Sequence, residues 1–403
     1  MIELKGKYNQ DCKIFLDDIE QGAIDLIQNI LNHEVSKGVQ VRIMPDTHIG
    51  KGIVIGFTMP MTEMINPNYI GVDIGCSVTS YQLNRRFHPS ELSQVDKVIR
   101  RTIPMGHRIH KGKNFDYAWV DEYLNEVTTH VNSLIIEWNK RTLEHRTPIS
   151  IDKRYITNLC KKIGIEERVF YNSIGTLGGG NHFIEVGQSQ GDGSHYLTIH
   201  SGSRNFGLKV CNYHTQKMTP SKKSSQEQLL EGEDMFNYLV DMVIAQTYAE
   251  FNHKVMADSI FKELKELKDT EPVDKTYSMH NFIDPRDWII RKGAIRSYEG
   301  ERMIIPFNMR DGLLICEGKS NADWNYSAPH GAGRVLGRNQ AFRSLSMNHF
   351  IQEMKGVYST SIHKKTLDEA PMAYKDKNFI INAIADTAVI IDFIKPILNI
   401  KSL

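Results

Sequence analysis

Residues 39–84 read VQVRIMPDTHIGKGIVIGFTMPMTEMINPNYIGVDIGCSVTSYQLN, and this stretch decides the fold class. Its apolar residues recur with a period near two, as in strands, and glycines punctuate it. IVIGFTMPM (53–61) and VTSYQL (78–83) are expected as buried strands, with VRIMPDTHIGKG (41–52) and YIGVDIGCS (69–77) as the tight loops leading into them. Polar and acidic groups therefore sit at strand ends. Just upstream, residues 18–37 place Ile19, Ile24, Ile27, Ile30 and Leu31 at helical spacing, so the chain passes from helix to strands within one short span.

Helical patterns resume at 89–102 and 117–143, followed by a basic interval, KRTLEHRTPISIDKR (140–154), expected on the surface. Between Gly232 and Pro272 no glycine or proline occurs, which predicts one long helix or two packed helices with a Met and aromatic stripe in the core. From 277 to 334 short apolar runs alternate with loops rich in His, Asn, Gly and Arg, and ADTAVIIDFIKPILNIKSL (385–403) reads as strand. No repeat or Pro/Ser-rich linker divides the chain. The expectation is one large mixed α/β domain over residues 1–403, with central β-sheets surrounded by helices and strand-end loops converging on one site.

The 403 residues carry 49 Lys+Arg against 48 Asp+Glu, a net charge of +1 that excludes a wholesale basic coat. Any nucleic acid must be held by a local patch; the densest basic stretch, KVIRRTIPMGHRIHKGK (97–113), reads as solvated surface. The five cysteines, Cys12, Cys76, Cys160, Cys211 and Cys316, are scattered and odd in number, which is no disulfide framework. With no signal-peptide apolar core and no run of about 18 apolar residues, a cytoplasmic protein without a membrane partner is expected.

Several loops pair glycines with metal-capable side chains: Asp46 and His48, Asp73 and Cys76, His182, His200, His280 with Asn281, and His330. Asp73 and Cys76 flank Gly75 in a turn, so both can point into one cavity, and a thiolate beside a carboxylate is unfavourable without a cation. A thiolate can bridge two ions, and imidazoles from His182, His200 and His280 would complete shells suited to Mn, Zn or Co. This mixed set does not match a structural zinc site and leaves positions open for substrate. GTLGGGN (175–181) offers unobstructed backbone N–H groups for phosphate, with Arg204, Arg310, Lys319, Arg334 and Arg338 in or near the same loops. SAPHGAGR (327–334) presents His330 on open backbone beside Arg334, a setting for a nucleophile attacking phosphate.

The loops PDTHIGKG, GVDIGC, GTLGGGNHFIEV, HSGSRNFG, HN, RKGA and HGAGR, in this order across nearly the whole chain, resemble the RtcB family of GTP-dependent RNA ligases. That resemblance implies an α/β fold, two Mn2+ ions, and a histidine that becomes guanylylated. By position it implies Asp73, Cys76, His182, His200 and His280 as metal ligands, with Cys76 bridging, and His330 as the nucleophile. It further implies GTP contacts from Asn181, Glu185, Asn281, Ser327, Arg334 and the C-terminal Lys401, and a phosphate contact from Arg204. The implied partners are GTP and broken or spliced RNA ends, of tRNA or rRNA, with the need for an activating protein left open.

The chain departs from the common family pattern at Ser77, where many members have Gly, and at Phe307-Asn308, where many read Gly-Ser. PFNMRDG and GKSNADWNYSAPHGAGR instead resemble a divergent paralogue subgroup associated with RNA repair more than tRNA splicing, which bears on the RNA and not on the chemistry. The rival enzyme class is a binuclear phosphoesterase acting on RNA ends without a guanylylated intermediate. A non-enzymatic RNA-binding protein would predict losses in the metal set, and there are none.

Overall fold

The strands and helices announced by the periodicity are present in a computed structural model that describes residues 1–111, 117–218 and 229–403. The early strands are β1 (Ile2–Leu4), β2 (Cys12–Ile14), β3 (Val41–His48), β4 (Ile55–Pro60), β5 (Met64–Ile65) and β6 (Ser77–Leu83). The middle of the chain adds β7 (Phe183–Ser189), β8 (His195–Ser201), β9 (Leu230–Glu231), β10 (Pro272–Met279), β11 (Asn281–Ile283) and β12 (Ile289–Lys292). The last are β13 (Ala294–Arg296), β14 (Arg302–Pro306), β15 (Leu313–Gly318), β16 (Ser327–Pro329) and β17 (Ala388–Ile400). Helices include α1 (Gln21–Leu31), α2 (Leu92–Thr102), α3 (Trp119–Thr142), α4 (Lys153–Ile163), α5 (Glu167–Ser173), α6 (Arg204–Lys217) and α7 (Gly232–Lys268), with short α8 (Arg338–Ser344), α9 (Met347–Glu353) and α10 (Lys377–Ala383) near the end.

One sheet has six strands in the order β1-β2-β3-β4-β12-β11, the other seven in the order β10-β6-β8-β7-β17-β15-β14. The second sheet curls until β14 lies beside β10, where the Ile304 amide donates to Ser278 Oγ at 2.8 Å. β13 and β16 form a small antiparallel pair that carries the chain to His330. The architecture is the expected mixed α/β one.

The structure selects the single-helix alternative for 232–268. α7 is buried on nearly every face from Met235 to Ala257, which explains why its apolar residues show no narrow stripe. Tyr123 of α3, Phe170 of α5 and Phe206 of α6 pack around its Tyr248 in the largest core cluster. The helix expected at 18–37 is shorter: α1 ends at Leu31 and a 3-10 turn, Glu34–Ser36, follows, with the His33 ring accepting from the Val35 amide. The loop expected at 41–52 is largely strand. β3 runs through Pro45, Asp46 and His48, and its pairing with β4 shifts register between Ile43 and His48, so the proline sits in an irregular stretch where no ladder N–H is required. The interval 140–154 is mainly surface, as expected, although Ile151 is buried. Among the described residues no helix is long and apolar enough to cross a membrane.

Candidate active site

Strand register builds the site. Ser77 of β6 faces Ser201 of β8 and Met279 of β10, and Phe183 of β7 faces His200 of β8. Cys76, His182 and His280 each lie one residue beyond these strand ends, so they gather around His200 at one end of four adjacent strands. The His280 amide donates to the Cys76 carbonyl at 2.9 Å, which fixes the two loops together.

The Asp73–Cys76 turn packs directly on α7. A Cβ at Gly75, whose φ is +70°, would lie 2.8 Å from the Gln246 Cα, so only glycine lets the turn approach the helix. Gly178, φ +87°, plays the same part for Arg204: a Cβ there would meet the guanidinium at 1.9 Å and His182 Nδ1 at 2.8 Å. Behind the cluster the His253 ring, on α7, binds the Ser77 and Thr79 hydroxyls and the Ser201 carbonyl. Burial pushes His253 down to about 4, so this brace is uncharged.

Two groups of ligand atoms result, Cys76 with His200 and His280, and Asp73 with Cys76 and His182, each within 4.8 Å of one another. They share one atom, the Cys76 sulfur, which lies 3.4 Å from His200 Nε2 and 3.6 Å from His182 Nε2. His182 Nδ1 is 2.9 Å from the Leu177 carbonyl, an acceptor only, so that nitrogen carries the hydrogen. Its Nε2 then turns a lone pair towards Asp73 Oδ2 at 2.9 Å, an arrangement that calls for a cation between the two donors. The residues therefore fit a metal ion. Burial drives His200 and His280 well below their ordinary values, leaving the neutral imidazoles that metals bind. Burial, with Asp73 adding to it, pushes the Cys76 thiol well up, so a metal must displace its proton.

His330 adjoins this cluster, its ring centroid 4.9 Å from that of His280. Its Nδ1 lies 2.7 Å from Asp46 Oδ2, and the Gly331 amide donates to the same oxygen at 3.2 Å. Asp46, expected among metal-capable groups, instead backs His330. Lys375 secures the arrangement, donating to the Pro45 and Thr47 carbonyls on either side of Asp46 while its amide donates to the Gly333 carbonyl.

A cavity of about 660 Å³ opens on His330 and His200 and runs past Asn181 and Glu185 to Lys401. At its deep end Asn399 Nδ2 donates to Glu185 Oε2 at 2.7 Å, and burial pushes the Glu185 carboxyl up to about 8. Lys401 Nζ donates to the Asn181 carbonyl and to Glu369 Oε2, both at 3.0 Å. Arg334 and Arg338 also reach Glu369, at 3.3 and 2.7 Å, and the Tyr374 hydroxyl donates to it at 2.6 Å. Burial alone would raise that carboxyl, but Lys401, Arg338, Tyr374 and Arg334 together hold it down to about 2. Glu369 and Tyr374 were invisible in LDEAPMAYKD, which has neither glycine nor histidine.

Other expected residues lie off the cavity wall. Arg204 donates to Thr176 Oγ1 and the Gly106 carbonyl beside the Asp73 loop. Asn281 donates to the Asp73 carbonyl at 3.1 Å and accepts from the Gly293 amide, so it ties the Asp73 turn to the RKGA segment. The Ser327 hydroxyl is buried between Arg291 Nε and the Asn325 carbonyl. Arg310 is paired with Asp311 and Glu353, and Lys319 donates to the Ala385 carbonyl. In the stretch 97–113, Arg100 pairs with Asp96 and Arg101 with Glu263, and residues beyond Lys111 lie outside the described ones.

Comparison with known proteins places residues 29–402 in the family model described as tRNA-splicing ligase RtcB. The RNA-splicing ligase RtcB of Escherichia coli (strain K12) is 28% identical over 385 residues, 90% of each chain. The tRNA-splicing ligase RtcB of Aeropyrum pernix is 26% identical, covering 83% of this chain and 82% of its own. The RNA-splicing ligase RtcB2 of Escherichia coli (strain ATCC 25922) is 25% identical, covering 89% and 87%.

Proposed function

The chain belongs to the RtcB family, and from that premise we propose that it is an RNA ligase joining RNA 2′,3′-cyclic phosphate or 3′-phosphate ends to 5′-hydroxyl ends, with GTP, manganese and a guanylylated His330. The observation that carries this reading is the pair of ligand clusters meeting at the Cys76 sulfur with the Asp46-backed His330 ring beside them. Held by Asp73, Cys76, His182, His200 and His280, two manganese ions would neutralise phosphate charge as it develops.

The residues of the chain do the rest. Asp46 accepts the His330 Nδ1 hydrogen, so Nε2 presents its lone pair to the α-phosphorus of GTP. An N–P bond forms, the bond to pyrophosphate breaks, and the Asp46 carboxylate offsets the positive charge gained by the ring. At the deep end Glu185 and Lys401 suit guanine, whose N–H groups need an acceptor and whose carbonyl needs a donor. Asn181 and Arg334 border the nucleotide, and Arg204 serves a phosphate near Asp73. Asn281 and Ser327, expected as contacts, hold the Asp73 turn and the strand before His330. A cyclic phosphate end is opened to a 3′-phosphate, GMP passes from His330 to that phosphate, and a 5′-hydroxyl displaces GMP. RNA repair or tRNA splicing would use such an enzyme.

Incubation with α-labelled GTP and manganese should place an acid-labile, base-stable label on the protein. A phosphoesterase working without a covalent histidine would leave the protein unlabelled, and that result would overturn the reading.

A further inference from the structure

His48 takes no part in either ligand cluster, yet it lines the cavity that His330 faces. Its Nδ1 is 3.2 Å from the main-chain carbonyl of Asp46, an oxygen that only accepts, so Nδ1 carries the hydrogen and Nε2 keeps a free lone pair. One residue thus orients two imidazoles: Asp46 holds His330 through its carboxylate and His48 through its backbone. Burial, reinforced by His330 and Lys375, pushes His48 down to about 4 despite the Asp46 carbonyl, so the ring is an uncharged acceptor.

The two histidines divide the cavity. Glu185, Glu369 and Lys401, at the far end, are buried, whereas His48 sits at the open end beside the exposed Ile49 and Glu20. A polynucleotide can reach the cavity past this exposed edge. His330 needs no base for its own attack, because its lone pair is already presented, but a hydroxyl of RNA must lose a proton as it attacks phosphorus.

We propose that His48 is the proton acceptor for the RNA 5′-hydroxyl in strand sealing. The hydroxyl oxygen forms a bond to the phosphorus of the activated 3′-end, the O–H hydrogen passes to His48 Nε2, and the P–O bond to GMP breaks with its electron pair leaving on GMP. An incoming phosphate favours the protonated ring that results.

The inference rests on the ligase reading, and its test separates the two. His48→Gln and His48→Ala should retain metal content and form the labelled protein–GMP adduct within about threefold of the parent. Sealing of an RNA already carrying a 3′-phosphate–GMP end to a 5′-hydroxyl end should fall on the order of a hundredfold or more, and added imidazole should restore part of it in His48→Ala. Sealing at the parent rate in both variants, an equal loss of adduct formation and sealing, or no rescue by imidazole would overturn the role of His48. Absence of the adduct in the parent protein would instead overturn the ligase reading itself.

Discussion

Glu185 lies at the buried end of the cavity with its carboxyl pushed up to about 8, and this makes a stability prediction of unusual sign. The fold accepts the protonated acid, while the unfolded chain ionises it near 4.5. Stability is therefore fully present below pH 4.5 and falls as pH rises, until the folded carboxyl itself ionises near 8. At about 1.4 kcal/mol per pH unit, the ionised form should cost on the order of 5 kcal/mol above that point. Glu185→Gln keeps an acceptor for Asn399 Nδ2 and removes the titration. The variant should be more stable than the parent, with a gap that widens by roughly 3 kcal/mol between pH 5.5 and 8.5. Urea unfolding of the metal-free, nucleotide-free protein at the two pH values measures it. GTP labelling should fall in the same variant, since an amide cannot ionise to give the carboxylate that guanine's N–H groups would draw out. Parallel pH dependences for parent and variant would refute the reasoning.

Replacing Cys76 by Ala should empty both metal clusters, read by metal analysis, because the sulfur is common to both; a merely packed thiol would cost about 1 kcal/mol and leave occupancy intact. His330→Ala should keep its metals and form no protein–GMP adduct, yet still seal an RNA supplied with an activated 3′-phosphate–GMP end, and joining of a plain 3′-phosphate end by this variant would exclude His330 as nucleophile. Glu369→Ala leaves Lys401, Arg334 and Arg338 without their common carboxylate and should destabilise the fold by about 3–5 kcal/mol in denaturant titration. In the parent, the Glu369 carboxyl is held down to about 2, so its contribution should persist above pH 4.5 and vanish as pH falls towards 2; a Glu369→Gln variant tracking the parent through that window would contradict it.

The metal-capable residues were legible because their signals are local. Gly75 must be glycine where the turn meets α7, Gly178 where Arg204 and His182 close in, and each such loop ends at a strand whose apolar alternation stands beside it. Asn281 and Ser327 show the limit of that logic. Both sit in site-forming segments, but one binds the Asp73 carbonyl and the other Arg291 and Asn325, since a polar side chain near a cavity can equally face the frame behind it. The PDTH segment reads as loop in the sequence because a bulged strand loses strict alternation while keeping its burial.

By itself the sequence determined the α/β class, the helical character of the buried stretch after Gly232 and the set of chemistry-bearing loops, all properties of neighbouring residues: period, glycine freedom and unbroken helix-forming runs; that this stretch is one helix, α7, was left to the structure. Only the tertiary structure decided which loops meet. Asp46 reaches His330 across 284 positions, and Glu369 reaches Lys401 across 32, because strand order and register bring them together. A lone carboxylate carries no local mark of its partner, and its role is set by whichever cation or imidazole the fold delivers within about 3 Å in a buried place, where an unpaired charge would be costly.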